Sequence, residues 1–224
     1  MTNLPAAAHA LDLFRACPGL HVGVHLNLTE GFPMTSIPAL TDLTGLDGRF
    51  RPIAHLARQA LFPSARTLSS IEAELTAQFE LLVRAGFAPQ HVTTHLQFHA
   101  LPSLRRIVLR LAHAYRVPWV RPHRVRAMVE PWNPLLSRKL GASGHGTRGA
   151  TPPDYMAVLR NWQGRGPEAL TSTLAGLRGA VELVVHPDID DDPTFPSHIA
   201  YGSRGRFAET KFLERCWPLL RQQL

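Results

Sequence analysis

Histidines stand at the predicted ends of three separate strands of this chain. They are His25 in LHVGVHLNL, His95 in HVTTHLQFHALP and His186 at the end of VELVVH. A lone histidine is more often a core or surface residue than a ligand, because imidazole both donates and accepts hydrogen bonds. Three histidines from distant segments at one edge of a sheet favour a functional site, in which neutral imidazoles bind a divalent metal.

Two imidazoles can hold such a metal, but a third protein ligand is usual, often a carboxylate, with one position kept for water. The metal then acts as a Lewis acid and activates the water. Hydrolysis of an amide also needs a base for that water and an acid for the departing amine. We therefore interpret His25 and His95 as the metal pair and His186 as the candidate acid. Magnesium, zinc, manganese and cobalt all suit such a site.

The elements that position these residues follow from hydrophobic periodicity. His25 and Asn27 share one face of the strand predicted over residues 20–28, and a capping-box pattern at Ser69 and Glu72 predicts the start of a helix. Period-two alternation also predicts an extended polar face on the next strand, formed by His91, Thr93, His95, Gln97 and His99. Further helices are predicted over 5–16, 55–61, 153–162, 167–177 and 207–222 and from Pro102, and further strands over 117–121 and 181–186.

Strands that alternate with helices predict an α/β fold with a parallel sheet, in which ligands bind at the carboxyl ends of the strands. The 224 residues, 45% of them hydrophobic, suit one domain over residues 1–224. Two long loops, over 29–68 and 121–153, are expected to select the substrate.

Bulk properties exclude several classes of protein. The net charge of +7 comes from scattered arginines and not from a basic stripe, so no nucleic-acid partner is expected. No apolar run reaches the roughly 18 residues that a membrane span needs. Two distant cysteines favour a reducing, cytoplasmic location without disulfides. The sequence has no GxSxG, P-loop or GxGxxG motif, which leaves serine-hydrolase and nucleotide-binding functions without support.

Three segments resemble successive motifs of the YdjC/ChbG-type carbohydrate deacetylases, a family that includes the HpnK proteins. The segments are GVHLNLTEGFP, PQHVTTHLQFHALP and VELVVHPD. The resemblance implies a deformed, incomplete (β/α) TIM-like barrel with parallel strands. It also implies a divalent metal, Mg²⁺ or Zn²⁺, and the removal of an acetyl group from an N-acetylated sugar, a chitooligosaccharide or an N-acetylglucosaminyl conjugate.

Carried over by position, the resemblance makes His25 and His95 metal ligands and His186 the general acid. Residues expected to bind the substrate or to support the site are Asn27, His91, Thr93, His99 and Trp119. The chain departs from the family pattern at four positions, with threonines in place of Asp-Ser, a glutamine in place of a histidine and an aspartate in place of a glycine. These residues are Thr93, Thr94, Gln97 and Asp188.

Members of that family open with a strand ending in Asp-Asp, one carboxylate binding the metal and the other serving as base. Here the chain begins about a strand and a helix later, so the aspartate expected as third ligand is absent and we expect this form to be inactive or impaired. Either the true start lies upstream, which we favour, or the chain is a degenerate homologue.

The alternative is a non-catalytic carbohydrate-binding protein that stacks sugar rings on aromatic side chains. The candidate side chains are Phe98, Trp119, Trp132 and Trp162. A third and weaker interpretation, based on the net charge, is an RNA-associated protein. The preferred interpretation has a small carbohydrate as substrate, no membrane span and room for a homodimer.

Overall fold

The computed structural model describes residues 1–36, 38–121, 127–128, 153–188 and 203–222. The chain forms two compact units, an amino-terminal unit of Met1–Arg124 with Leu140–Thr151 and a carboxy-terminal unit of Val125–Lys139 with Pro152–Leu224. Compact units can belong to one folding domain, so the expected single domain stays a prediction. Trp132, the acidic residues 190–192 and most of the loop over 121–153 lie outside the described residues.

The amino-terminal unit alternates helices with parallel strands, as the periodicity predicts. Its strands lie in the order β1-β2-β3, with Val24 opposite Val92 and His91 opposite Trp119. The elements are α1 Ala7–Ala16, β1 Val24–Leu26, α2 Ile53–Leu61, α3 Ala65–Arg84, β2 His91–Thr94, α4 Pro102–Ala114 and β3 Trp119–Val120.

Helices α3 and α4 cover this sheet because each carries an apolar stripe at helical spacing. Leu75 and Phe79 of α3 are fully buried, as are Leu104 and Val108 of α4. Phe79 also stacks on Tyr115, with ring centroids 4.7 Å apart and planes within 3°. These contacts give the strands a rigid backing and leave their carboxyl ends as the place for polar side chains.

The start of α3 differs from the prediction. The cap is Ser64, whose side chain accepts a hydrogen bond from the Thr67 backbone N–H, and Ser69 lies inside the helix. Glu72 is not part of a capping box, since its carboxylate accepts two hydrogen bonds from the Arg110 guanidinium at 2.8 and 2.7 Å. A side chain–backbone cap at Ser64, five residues earlier, therefore replaces the predicted one.

Strand β2 is shorter than the period-two pattern suggests. It ends at Thr94, and His95–Ala100 form a 3-10 segment in which Leu96 and Gln97 have left-handed backbone angles, with φ of 51° and 52°. The prediction of one extended polar face from His91 to His99 is wrong beyond Thr94. A period of two cannot distinguish a long strand from a short strand followed by a tight turn.

The carboxy-terminal unit holds a second parallel sheet in the order β4-β5-β6. Its elements are β4 Ala127–Met128, β5 Tyr155–Val158, α5 Pro167–Ala175, β6 Val181–Val184 and α6 Ser203–Arg221. The helix predicted over 153–162 is wrong, because residues 155–158 pair with β6 along their whole length and a 3-10 turn follows. Pairing with a neighbouring strand overrides a local helical pattern.

A small apolar core closes this unit. Its fully buried members include Phe212 and Cys216 of α6, whereas Trp217 of the same helix is 51% exposed. Across the described ranges no helix combines the length and the apolar character needed to cross a bilayer. Parallel strands and covering helices confirm the α/β class, and a deformed, incomplete TIM-like barrel stays a prediction.

Candidate active site

Two of the predicted site histidines meet at the carboxyl end of the first sheet. His25 lies on β1 opposite Thr93 of β2, and His95 is the first residue after β2. The two imidazole rings contact each other edge to face, with centroids 5.7 Å apart and planes at 78°. Residues seventy positions apart in the sequence thus form one cluster because their parallel strands end at the same edge.

The hydroxyl of Thr93 sets the orientation of the His25 ring. Its Oγ1 lies 2.6 Å from His25 Nδ1, and the tautomer decides which of the two atoms donates. A hydrogen bond at one ring nitrogen directs the other nitrogen of an imidazole, as is usual for histidines that bind metals. Thr93 therefore acts on the site through His25.

His95 faces a buried carboxylate that the sequence analysis did not identify. Within the described structure, His95 Nε2 is buried and has no hydrogen-bond partner. Glu30 Oε1 lies 3.7 Å from it, and the two side chains are only 12% and 8% exposed. The cluster at this edge of the sheet therefore contains two imidazoles and one carboxylate.

Asn27 places Glu30 by folding the chain into a turn directly after β1. Its Oδ1 accepts hydrogen bonds from the backbone N–H groups of Thr29 and Glu30, both at 3.1 Å. Its Nδ2 donates to the Glu30 carbonyl at 2.8 Å and to Asn3 Oδ1 at 3.0 Å. Asn27 is fully buried, so it supports the site and has no surface to offer a substrate.

Helix α3 holds this turn in place through two buried polar side chains, Gln78 and Glu74. Gln78 accepts from the Asn27 N–H at 2.9 Å and donates to the Asn27 carbonyl at 2.7 Å. It also donates to Glu74, whose carboxylate accepts from the backbone N–H groups of Met34 and Thr35 at 3.1 and 2.9 Å. Gln78 and Glu74 thus fix both the end of β1 and the loop that follows Glu30.

His99 supports the turn after β2. The ring is buried, and its Nδ1 lies 2.5 Å from the Thr94 hydroxyl, which also accepts a bond from the His99 backbone N–H at 3.3 Å. These two contacts close the left-handed turn at Leu96 and Gln97 that positions His95. His99 is therefore a structural neighbour of the histidine pair.

His91 and Trp119, expected to bind the substrate or to support the site, lie away from the histidine pair. They are paired first residues of β2 and β3, and their rings contact each other with centroids 6.0 Å apart. Four residues of extended chain separate His91 from His95, or about 13 Å. Because parallel strands share one direction, this pair lies at the amino end of the sheet.

His186 belongs to the carboxy-terminal unit, two residues beyond β6. Its backbone N–H donates to Glu209 Oε1 at 2.8 Å, and its Nδ1 lies 3.9 Å from the same oxygen. Glu209 is fully buried on α6, whereas the His186 side chain is 43% exposed. A buried carboxylate therefore binds the backbone N–H of His186 and lies near its imidazole, which remains accessible to solvent.

The histidine pair of the amino-terminal unit could supply two ligands to a divalent cation. Two imidazoles that share one cation about 2.1 Å from each nitrogen, at angles of roughly 90 to 120°, place their ring centres about 4.6 to 5.6 Å apart, and those of His25 and His95 are 5.7 Å apart, slightly above that range. The buried, unbonded Nε2 of His95 is a ligand atom without another function. Among the residues described, however, no group of three His, Cys, Asp or Glu side chains could hold a metal ion.

The structure defines a parallel α/β protein with two histidines in contact at the carboxyl end of its first sheet. Comparison with known proteins identifies the family. The profile of the family described as YdjC-like protein matches residues 1–216. The chain belongs to this family.

Curated relatives carry the description carbohydrate deacetylase. The Geobacillus stearothermophilus protein is 36% identical over 130 residues, which cover 56% of this chain and 49% of that protein. The Brevibacillus brevis protein is 40% identical over 119 residues, which cover 53% of this chain and 44% of that protein. The chain thus spans about half the length of the curated relatives it matches.

A solved structure from Enterococcus faecalis, described as a cellobiose-phosphate cleavage protein, shares the fold. The likeness has a TM-score of 0.69 and covers all of this chain and 82% of that one, at 19% identity. At this identity the comparison extends to the fold alone.

Proposed function

We propose that this chain is a metal-dependent hydrolase that removes the acetyl group from an N-acetylated sugar, either a chitooligosaccharide or an N-acetylglucosaminyl conjugate. The observation that carries the proposal is the contact between the rings of His25 and His95, 5.7 Å apart, at the carboxyl end of two parallel strands. The description of the relatives as carbohydrate deacetylases supports the kind of reaction.

In this proposal His25 and His95 hold the divalent cation, Mg²⁺ or Zn²⁺. A bound cation supplies a Lewis acid and lowers the pKa of a bound water. Thr93 keeps His25 in one orientation through the bond to Nδ1. The turn held by Asn27 and the turn closed by His99 keep the segments after β1 and β2 in place. A rigid edge of this kind limits the reorganisation needed when ligands bind.

We assign to His186 the protonation of the departing amine. Imidazole changes charge near neutral pH and can deliver a proton to a leaving group. The contact with the buried Glu209 supports this role, because a carboxylate on a helix limits the orientations of the ring. Impaired activity of this form stays a prediction, since no described side chain is assigned as base for the attacking water. A homodimer and a cytoplasmic location also stay predictions.

Acetate release from N-acetylglucosamine oligomers, with and without added Mg²⁺ or Zn²⁺, tests the proposal. We expect slow release that requires the metal and disappears in the variant His95→Ala. The exposed His113 on α4 supplies the control His113→Ala, which should retain the parent rate. Oligomer binding that is unchanged after chelation, with no acetate released, would instead favour a non-catalytic carbohydrate-binding protein.

A further inference from the structure

We propose that Phe32 and Arg49 form a binding site for a sugar ring of the substrate, at the edge of the candidate active site. This inference rests on the proposed function, since the ligand is the N-acetylated sugar of that proposal. Both residues belong to the segment 29–68, which the sequence predicts to select the substrate. The sequence analysis did not identify either residue.

The exposure of the Phe32 ring is the first argument. Phenylalanine side chains are most often buried, and an exposed aromatic ring near a sugar site suits stacking on the apolar face of a pyranose. Phe32 is 50% exposed, whereas Phe98 and Trp162, two of the side chains expected to stack on sugars, are 1% and 3% exposed. Trp119, a third, lies at the amino end of the first sheet.

The place of Phe32 in the chain is the second argument. Phe32 follows Glu30 by two residues, and the Glu30 carboxylate lies 3.7 Å from His95 Nε2. Consecutive Cα atoms are about 3.8 Å apart, so the Cα atom of Phe32 lies within about 8 Å of that of Glu30. An oligosaccharide whose acetyl group lies at the histidine pair is long enough to reach this ring.

The guanidinium of Arg49 is the third argument. Its Cζ lies 4.6 Å from the centroid of the Phe32 ring and covers one face, so a sugar would stack on the other face. Within the described part of the chain, the Arg49 side chain contacts this ring and enters no ion pair. A guanidinium has five N–H donors, and the hydroxyl and acetamide oxygens of an N-acetylated sugar accept hydrogen bonds.

Backbone hydrogen bonds hold both side chains in place, which is the fourth argument. The Phe32 carbonyl accepts a bond from Asn3 Nδ2 at 3.1 Å. The neighbouring Gly31 carbonyl accepts from the backbone N–H of Phe50 at 2.9 Å, next to Arg49. These bonds join the segment after β1 to the segment that carries the guanidinium. Side chains on such a scaffold bind a ligand at a small cost in entropy.

Calorimetric binding of an N-acetylglucosamine trisaccharide tests the inference without an activity assay. Phe32→Ala should raise the Kd by about 2- to 10-fold, the effect expected when one stacked ring is lost. Arg49→Ala should raise the Kd as well, whereas Phe32→Trp keeps an aromatic ring and should bind nearly as the parent does. The control Trp217→Ala removes a ring that is 51% exposed on α6 and should leave the Kd unchanged.

Acetate release measured beside binding separates this inference from the proposed function. If the parent does not bind the trisaccharide, or if Phe32→Ala and Arg49→Ala bind it as the parent does, the inference is overturned. If the parent releases acetate and these variants keep its Kd, only the sugar site at Phe32 fails. If the parent releases no acetate and Phe32→Ala still weakens binding, the deacetylase proposal fails and the sugar site stands. Equal thermal midpoints of parent and variants exclude loss of the fold as the cause of weaker binding.

Discussion

The two ends of the first sheet both carry histidines, and they use them in different ways. At the carboxyl end, His25 and His95 contact each other, and His95 faces the buried carboxylate of Glu30. At the amino end, the His91 ring packs over Gly23 and against Trp119, about four residues of strand away. At one end two imidazoles and a carboxylate lie together, whereas at the other end the imidazole ring fills space beside Gly23 and Trp119.

The difference between the two ends of the sheet follows from the turns and the packing around each of them. At the carboxyl end the chain leaves the sheet through turns that Asn27 and Thr94 hold by side chain–backbone hydrogen bonds. At the amino end a residue without a side chain makes room for a ring: a Cβ at Gly23 would lie less than 3.0 Å from three atoms of His91. Strand direction and local packing, and not residue type, separate a site histidine from a core histidine.

The largest loss of stability is expected from a change in the turn after β1, at the carboxyl end of the sheet. Asn27→Ala leaves buried N–H groups of Thr29 and Glu30 without their acceptor, so the free energy of unfolding should fall by about 2 to 4 kcal/mol. The affinity for a divalent cation, measured as Co²⁺ binding by calorimetry, should fall too, because the turn beside His25 and His95 loses its support. Urea titration measures the first effect. Asn3→Ala, whose bonds are more exposed, should cost less, and equal losses in both variants would argue against a special role for Asn27.

At the amino end of the sheet, stability should depend on the volume of the side chains and not on their polarity. Gly23→Ala pushes a methyl group into the His91 ring, and overpacking of this kind costs about 1 to 3 kcal/mol. Cobalt binding should stay that of the parent. The same substitution made in a His91→Ala background should cost clearly less, because the obstructing ring is gone. Urea midpoints of the four proteins form a double-mutant cycle, and additive losses would contradict the contact.

Backbone strain after β2 gives a smaller effect confined to the carboxyl end. Leu96 is 48% exposed and has a φ of 51°, a conformation that costs a branched residue about 1 to 2 kcal/mol and that asparagine tolerates better. Leu96→Asn should therefore raise the thermal midpoint and Leu96→Val should lower it. Equal midpoints in the two variants would show that the turn is not strained.

The smallest effect is the pH dependence of stability that His91 causes at the amino end of the sheet. Burial lowers the pKa of His91, with smaller contributions from the charges of Arg121 and His21. The unfolded chain then binds more protons than the folded one between the lowered pKa and the ordinary value of about 6.5. The contribution of His91 to the free energy of unfolding should therefore be complete above about pH 6.5. It should be lost as the pH falls toward the lowered pKa. Urea unfolding at a series of pH values should show a weaker acid loss in His91→Gln than in the parent.

Much of the fold follows from local sequence patterns. Pro102 begins α4 and the apolar run near residue 181 forms β6, both as predicted. The errors occur where a distant partner decides the outcome. Residues 155–158 form β5 because β6 lies beside them, and the pattern of β2 could not reveal the left-handed turn at Leu96.

The residues of the candidate site also divide into those that the sequence could predict and those that it could not. His25 and His95 could be predicted together because parallel strands end at one edge of a sheet. Glu30 was missed because a charged residue in a turn resembles an ordinary surface residue. The available clue was Asn27, since asparagine before such a segment often binds the backbone two or three residues ahead.

The sequence by itself determined the alternation of strands and helices, and with it the edge where His25 and His95 meet. These features depend on hydrophobic period and chain direction, which are local properties. Only the tertiary structure decided that Glu30 turns toward His95 and that His91 packs away from the site. Those outcomes depend on bonds between distant segments, such as Gln78 with Asn27, and no pattern within one segment contains them.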